Sequence, residues 1–121
     1  MNDLLLKQYI GLIECNNEEI SILANTSAFI MQNFQDISWA GFYLFKNNEL
    51  ILGPFQGKIA CTNIPLDKGV CGKAASTQKT VIVEDVHQFA GHIACDSESN
   101  SEIVIPLIKG DQLYGVLDLD S

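Results

Sequence analysis

Between Trp39 and Asp120 the apolar residues come in short runs separated by turn-forming residues, and nothing else in the chain limits its fold so strongly. "WAGFYLF" (39–45) is followed by the turn "KNNE" and then by "LILGPF". Near the end, "EIVIPLI" (102–108), the turn "KGDQ" and "LYGVLDLD" (113–120) repeat the arrangement. Runs of this length, rich in β-branched and aromatic residues and joined by short polar turns, read as antiparallel hairpins. Pro54 has no N–H to donate to a ladder, so it should end the pairing or lie on an edge.

Ahead of the strands the period changes. Leu5, Tyr9, Leu12 and Ile13 follow helical spacing, and Ile20, Leu23, Ser27, Ile30, Met31 and Phe34 form a second stripe. Asn16 or Asn17 is placed to cap this second helix, with Glu18 and Glu19 in its first turn. Between the hairpins, 63–66 reads as a short strand, 69–78 as a short helix starting near Asp67, and "TVIVEDV" (80–86) as a strand. Residues 86–100 are polar and without periodicity, and structureless stretches of about this length are usually functional or disordered. Helices first and mostly strands afterwards predict an α+β domain, its helices packed on a central antiparallel sheet. The 121 residues fit a single domain, 1–121, with no internal repeat or linker.

Hydrophobic residues make up 47% of the chain, enough for one packed core. The formal charge of -8 argues against nucleic acid and anionic membrane surfaces, which attract positive charge. The start, "MNDLLLKQYI", has neither a basic n-region nor a long apolar run, and no later stretch is long enough to span a membrane. A cytoplasmic chain is therefore expected, with its thiols reduced and structural disulfides rare.

The cysteines are Cys15, Cys61, Cys71 and Cys95. Cys15 ends an amphipathic stripe and reads as a small, partly buried hydrophobe. The other three fall in loops or at a helix start, where spacing leaves packing, redox cycling and metal binding open. Zinc fits least, because structural zinc sites usually pair ligands at CxxC or HxxxH spacing and only His92 and Cys95 are close here. Redox cycling would use one thiolate to attack and a second to resolve a sulfenic acid as a disulfide. Cys71, near a helix N-terminus, should feel a dipole that lowers a thiol pKa. His92 precedes Cys95 by three residues and could orient or acidify it, whereas a lone histidine such as His87 more often only hydrogen-bonds. Asp118 and Asp120 are two apart on a strand and share a face, with Glu102 on the neighbouring strand. Carboxyls clustered in a dry pocket repel, so at least one should hold a proton near neutral pH.

"GPFQGKIACTNIPLDKGVCGKAA", "VEDVHQFAGHIACDSESNSEIVIPL", "GVLDLDS" and "SWAGFYLF" resemble the free methionine-(R)-sulfoxide reductases, enzymes built on the GAF fold. The resemblance covers roughly residues 20–121. It implies that Cys95 attacks the sulfoxide sulfur, that Cys61 is the main resolving thiol, and that Cys71 is a second resolving or relay thiol. It implies further that Glu102, Asp118 and Asp120 hold and protonate the substrate, with Trp39 and Tyr43 as the wall around its methyl-sulfoxide end. The polar segment 85–101 would act as a lid. Thioredoxin is the reductant implied, and no cofactor or metal is. A homodimer is one possible state, which the sequence leaves open. Family members usually continue past "LDLDS" into a final helix, which this sequence does not contain. Two other readings compete: a GAF sensory module that binds a small ligand or senses redox state, and an interaction domain with incidental thiols. Loss of free methionine sulfoxide in the presence of a thiol reductant separates them from the enzyme.

Overall fold

A computed structural model describes residues 2–15, 17–88 and 100–121. Two helices, α1 (Asp3–Glu14) and α2 (Glu19–Asn33), precede strands β1 (Trp39–Lys46), β2 (Glu49–Gln56) and β3 (Asn63–Pro65). Then come α3 (Gly69–Thr77), β4 (Val81–Val83), β5 (Glu102–Lys109) and β6 (Gln112–Asp120). The strands form one antiparallel sheet in the order β3-β2-β1-β6-β5-β4. The α+β reading holds. Most of the polar segment read at 86–100 lies outside the described residues, and His92 and Cys95 lie there with it.

Both hairpins form where the alternation places them. Asn47 and Asn48 close the first with φ of 53° and 63°, the left-handed pair that a two-residue hairpin turn demands. Pro54 does not end the pairing. Gly41 pairs with Phe55 and Tyr43 with Leu52, so two residues of β2, Gly53 and Pro54, stand opposite one of β1. A bulge of this kind takes a proline without losing a ladder bond, and β3 pairs only with residues 49–51, which leaves Pro54 on an open edge.

Three local readings need correction. Asn17 does not cap α2: the N-cap is Glu18, and no side chain makes a capping hydrogen bond there. The strand read at 80–86 is only Val81–Val83. Asp85 Oδ1 accepts from the His87 backbone N–H at 3.0 Å and turns the chain into a single 3-10 turn, Val86–Gln88. Cys15 is exposed rather than partly buried, its Sγ 3.1 Å from the Gly11 carbonyl.

Helix α2 packs on β1 and β2 from one side, and α1 lies on α2. Tyr9 joins the two helices through its hydroxyl, 2.9 Å from Thr26 Oγ1, and its ring, 5.3 Å from that of Phe29. Helix α3 covers the opposite face, against β3, β4, β5 and β6. The main core lies on this second face, formed by Trp39, Tyr43, Leu50, Ile64, Val70, Ala74, Val104 and Val116 with their neighbours. Gly72 lets α3 approach closely, since a Cβ there would stand 2.8 Å from the Pro65 carbonyl oxygen and 2.9 Å from that of Leu66. No helix among the described residues is long and apolar enough to cross a membrane.

Candidate active site

The register places the polar groups. Across three strands Trp39, Asp120 and Glu102 stand side by side, and the next inward-facing row is Gly41, Asp118 and Val104. Residues opposite one another, or two apart on a strand, share a face. Glu102, Asp118 and Asp120 therefore point to the α3 side. Cys71, in the first turn of α3, meets them from above: its Sγ is 3.8 Å from Glu102 Oε2. The thiol and one oxygen each of Glu102 and Asp118 lie within 4.8 Å of one another.

Burial sets the electrostatics. Asp118 is 5% exposed, and its Oδ1 has no hydrogen-bond partner among the described residues. Its carboxyl is pushed well above the ordinary range, first by burial and then by the hydrogen bonds and charges of Glu102 and Asp120. Cys71 is 4% exposed, and burial, with the charges of Asp118 and Glu102 next, pushes its thiol well up. This overturns the expectation that the α3 N-terminus lowers the Cys71 pKa: desolvation and three nearby carboxyls outweigh the dipole of a nine-residue helix. In this arrangement Cys71 is a protonated thiol and a weak nucleophile.

The aromatic residues form a stack beside the acids. The rings of Trp39 and Tyr43 are 6.0 Å apart, and Phe55 adds a third ring 5.2 Å from Trp39. Their polar atoms are spoken for. Trp39 Nε1 donates to the Lys58 carbonyl and Tyr43 Oη to the Cys61 carbonyl, both at 2.9 Å. What they offer a ligand is ring surface, and their hydrogen bonds hold the segment that carries Cys61. Gly57, with φ +132°, lets that segment lie against the Trp39 ring, where a Cβ would collide. Cys61 is half-buried and disulfide-bonded, whereas Cys15 and Cys71 are free thiols.

Of the residues singled out from the sequence, Cys71, Glu102, Asp118 and Asp120 come together on one face, with Trp39 and Tyr43 on the same face and Cys61 tied to Tyr43. His87 is exposed, and among the described residues its backbone N–H donates to Asp85. Cys95 and His92 lie outside the described residues. Phe55 was missed: a regular register from the Asn47–Asn48 turn would set Pro54 opposite Gly41, and only the bulge at Gly53 and Pro54 brings Phe55 there.

The class that this fold and this site define is a GAF domain, and the model of that family matches residues 18–121. A free methionine-R-sulfoxide reductase of Escherichia coli is 51% identical over 97% of this chain and 71% of its own length. The structure of fRMsr of Staphylococcus aureus in its reduced form is 57% identical, covers 98% of this chain and 77% of that one, and superposes with a TM-score of 0.93. Free methionine-R-sulfoxide reductase from Neisseria meningitidis, solved in complex with its substrate, is 44% identical over 97% of this chain and 71% of that one, also with a TM-score of 0.93. The chain belongs to the free methionine-R-sulfoxide reductase family of GAF domain proteins.

Proposed function

We propose that this chain reduces free L-methionine-(R)-sulfoxide to methionine, using its own cysteines and an external dithiol. One observation carries the reading: in a chain 51% identical to such a reductase, a buried carboxyl oxygen, Asp118 Oδ1, stands without a partner beside two further carboxyls and an aromatic stack. A buried acceptor left unpaired is costly, and the ammonium of a small zwitterion supplies the missing donor. The ring faces of Trp39 and Tyr43 suit the apolar methyl and polarizable sulfur at the other end.

In the proposed reaction the Cys95 thiol gives its proton to solvent and the thiolate attacks the sulfoxide sulfur. The S–O bond breaks as the oxygen passes to the Cys95 sulfur, giving methionine and a cysteine sulfenic acid. Asp118 holds a proton, and Glu102, bonded to it and more open, delivers it to the oxygen as negative charge develops there. The Cys61 thiol then attacks the sulfenic sulfur, water leaves, and a Cys61–Cys95 disulfide remains. Thioredoxin reduces that disulfide by thiol exchange. Cys71, buried and protonated, serves as a reserve thiol in this scheme. Methionine release from free methionine-(R)-sulfoxide, with dithiothreitol or thioredoxin as reductant, is the test. Turnover no faster than buffer with reductant alone would overturn the proposal.

A further inference from the structure

The inner face of the sheet gathers a donor set that an ammonium ion does not exhaust. Cys71 Sγ comes from α3, one oxygen from Glu102 on β5 and one from Asp118 on β6, all within 4.8 Å of one another. In a tetrahedral zinc site, with Zn–S of about 2.3 Å and Zn–O of about 2.1 Å, the S···O edge is about 3.6 Å. Cys71 Sγ and Glu102 Oε2 stand 3.8 Å apart, close to the separation of two ligands of one ion. A second observation is independent of that spacing. Asp118 is more than nine-tenths buried, and its Oδ1 has no partner among the described residues. A cation held by that carboxyl gives the buried group a partner and offsets the cost of leaving one of its oxygens unpaired.

The donor types select the ion. Magnesium and calcium take oxygen ligands, whereas a thiolate with carboxylates suits a borderline-soft cation such as zinc. Three protein ligands with water in the fourth position is the pattern of an open zinc site. No pair of these ligands has zinc-motif spacing, because three separate elements bring them together.

We propose that the reduced protein binds one zinc ion through Cys71, Glu102 and Asp118, and that this ion excludes the amino-acid ligand from the same pocket. On binding, the protons of Cys71 and Asp118 pass to solvent and the thiolate and carboxylates coordinate, with no change of oxidation state. The binding stands apart from the proposed reductase activity; only the consequence, inhibition, rests on it.

The test uses the full chain, reduced and then freed of reductant, with Co²⁺ as a spectroscopic probe and Zn²⁺ in calorimetry. One equivalent of Co²⁺ should give a sulfur-to-cobalt charge-transfer band in the near ultraviolet, and one equivalent of Zn²⁺ should erase it. The band should vanish in Cys71→Ser and persist in Cys15→Ser. Losing a group that merely supports a ligand costs about 10–100-fold in affinity, so Asp118→Asn should weaken Zn²⁺ binding by at least about tenfold. Glu102→Gln provides a second check if Cys71→Ser fails to fold, as judged by circular dichroism. L-methionine, an unreactive stand-in for the substrate, should raise the apparent Kd for the metal. Absence of the band, or its survival in folded Cys71→Ser, overturns the site. Metal binding indifferent to saturating methionine overturns the exclusion. Turnover measured with a chelator present tests the reductase reading separately, and its failure would leave the metal result standing.

Discussion

Glu102 is half-buried at the start of β5, while Asp118 on the next strand is almost fully enclosed, and the two side chains are hydrogen-bonded. In the proposed reaction this difference divides the work, one residue keeping the proton and the other presenting it. Glu102→Gln keeps the shape and removes the acid, so methionine release in a single turnover should slow by about 10²–10⁴-fold, the usual contribution of a general acid. Rapid quench checks this, and a rate equal to wild type would pass the role to Asp118 or Asp120. Cys95→Ser should abolish the step, whereas Cys61→Ser should release the first methionine and stall before the second. Asp118 also makes a stability prediction. Its folded pKa stands above its unfolded value, which is about 4, so the protonated carboxyl favours the folded state. That contribution is fully present below the unfolded pKa and is lost as pH rises toward and through the folded one. Asparagine does not ionise, so Asp118→Asn should gain in Tm over wild type between pH 5 and pH 8. An equal difference at both pH values would mean that Asp118 does not stay protonated in the fold.

Helix α3 is the element that turns a row of acids on a sheet into a pocket with a thiol, and Gly72 sets how closely it docks. A Cβ at Gly72 would press on two backbone carbonyls of the β3 end, atoms that cannot rotate aside. Gly72→Ala should therefore destabilise by about 1–3 kcal/mol, as overpacking does; urea unfolding measures it, and an unchanged midpoint would show that α3 shifts at no cost. The elements themselves were legible in the sequence because their signals are local. Alternation marks β1, β2, β5 and β6, and Asn47–Asn48 marks the first turn. What was not legible arises between elements. Cys71 reads as an activated thiol from its helix, yet burial first, and then the charges of Asp118, of Glu102, 31 residues away, and of Asp120 reverse the shift. Trp39 and Tyr43 read as a wall, but nothing local shows that their polar atoms hold the carbonyls of Lys58 and Cys61. The strand expected through Val86 stops at Val83 because Asp85 folds back on the His87 N–H, a competition between turn and ladder that β-propensity does not register.

Taken whole, the molecule carries a formal charge of -8, and the acids of its site lie on the sheet's inner face under α3. Both facts bear on which form of the substrate enters. Free methionine sulfoxide is a zwitterion with no net charge, so the long-range field neither attracts nor repels it strongly. Its N-acetyl derivative has lost the ammonium and keeps the carboxylate, and it is a fair mimic of a peptide-bound residue. It meets two penalties. One is local: Asp118 Oδ1 keeps its unpaired state, which costs about 1–3 kcal/mol, or about 5–150-fold in kcat/KM. The other is global: an anion approaches an anionic protein, and this part is screened by salt over a Debye length of about 8 Å at physiological ionic strength. The two separate in one experiment. Measured at low salt, kcat/KM should favour the free amino acid over the N-acetyl form. Raising the salt to about 1 M should recover the long-range share and leave the local preference, because a buried contact is screened far less. Equal efficiency for the two substrates at every salt concentration would show that the acidic cluster does not hold the ammonium. Loss of the whole preference at high salt would show that charge steers the substrate to the protein without pairing it inside.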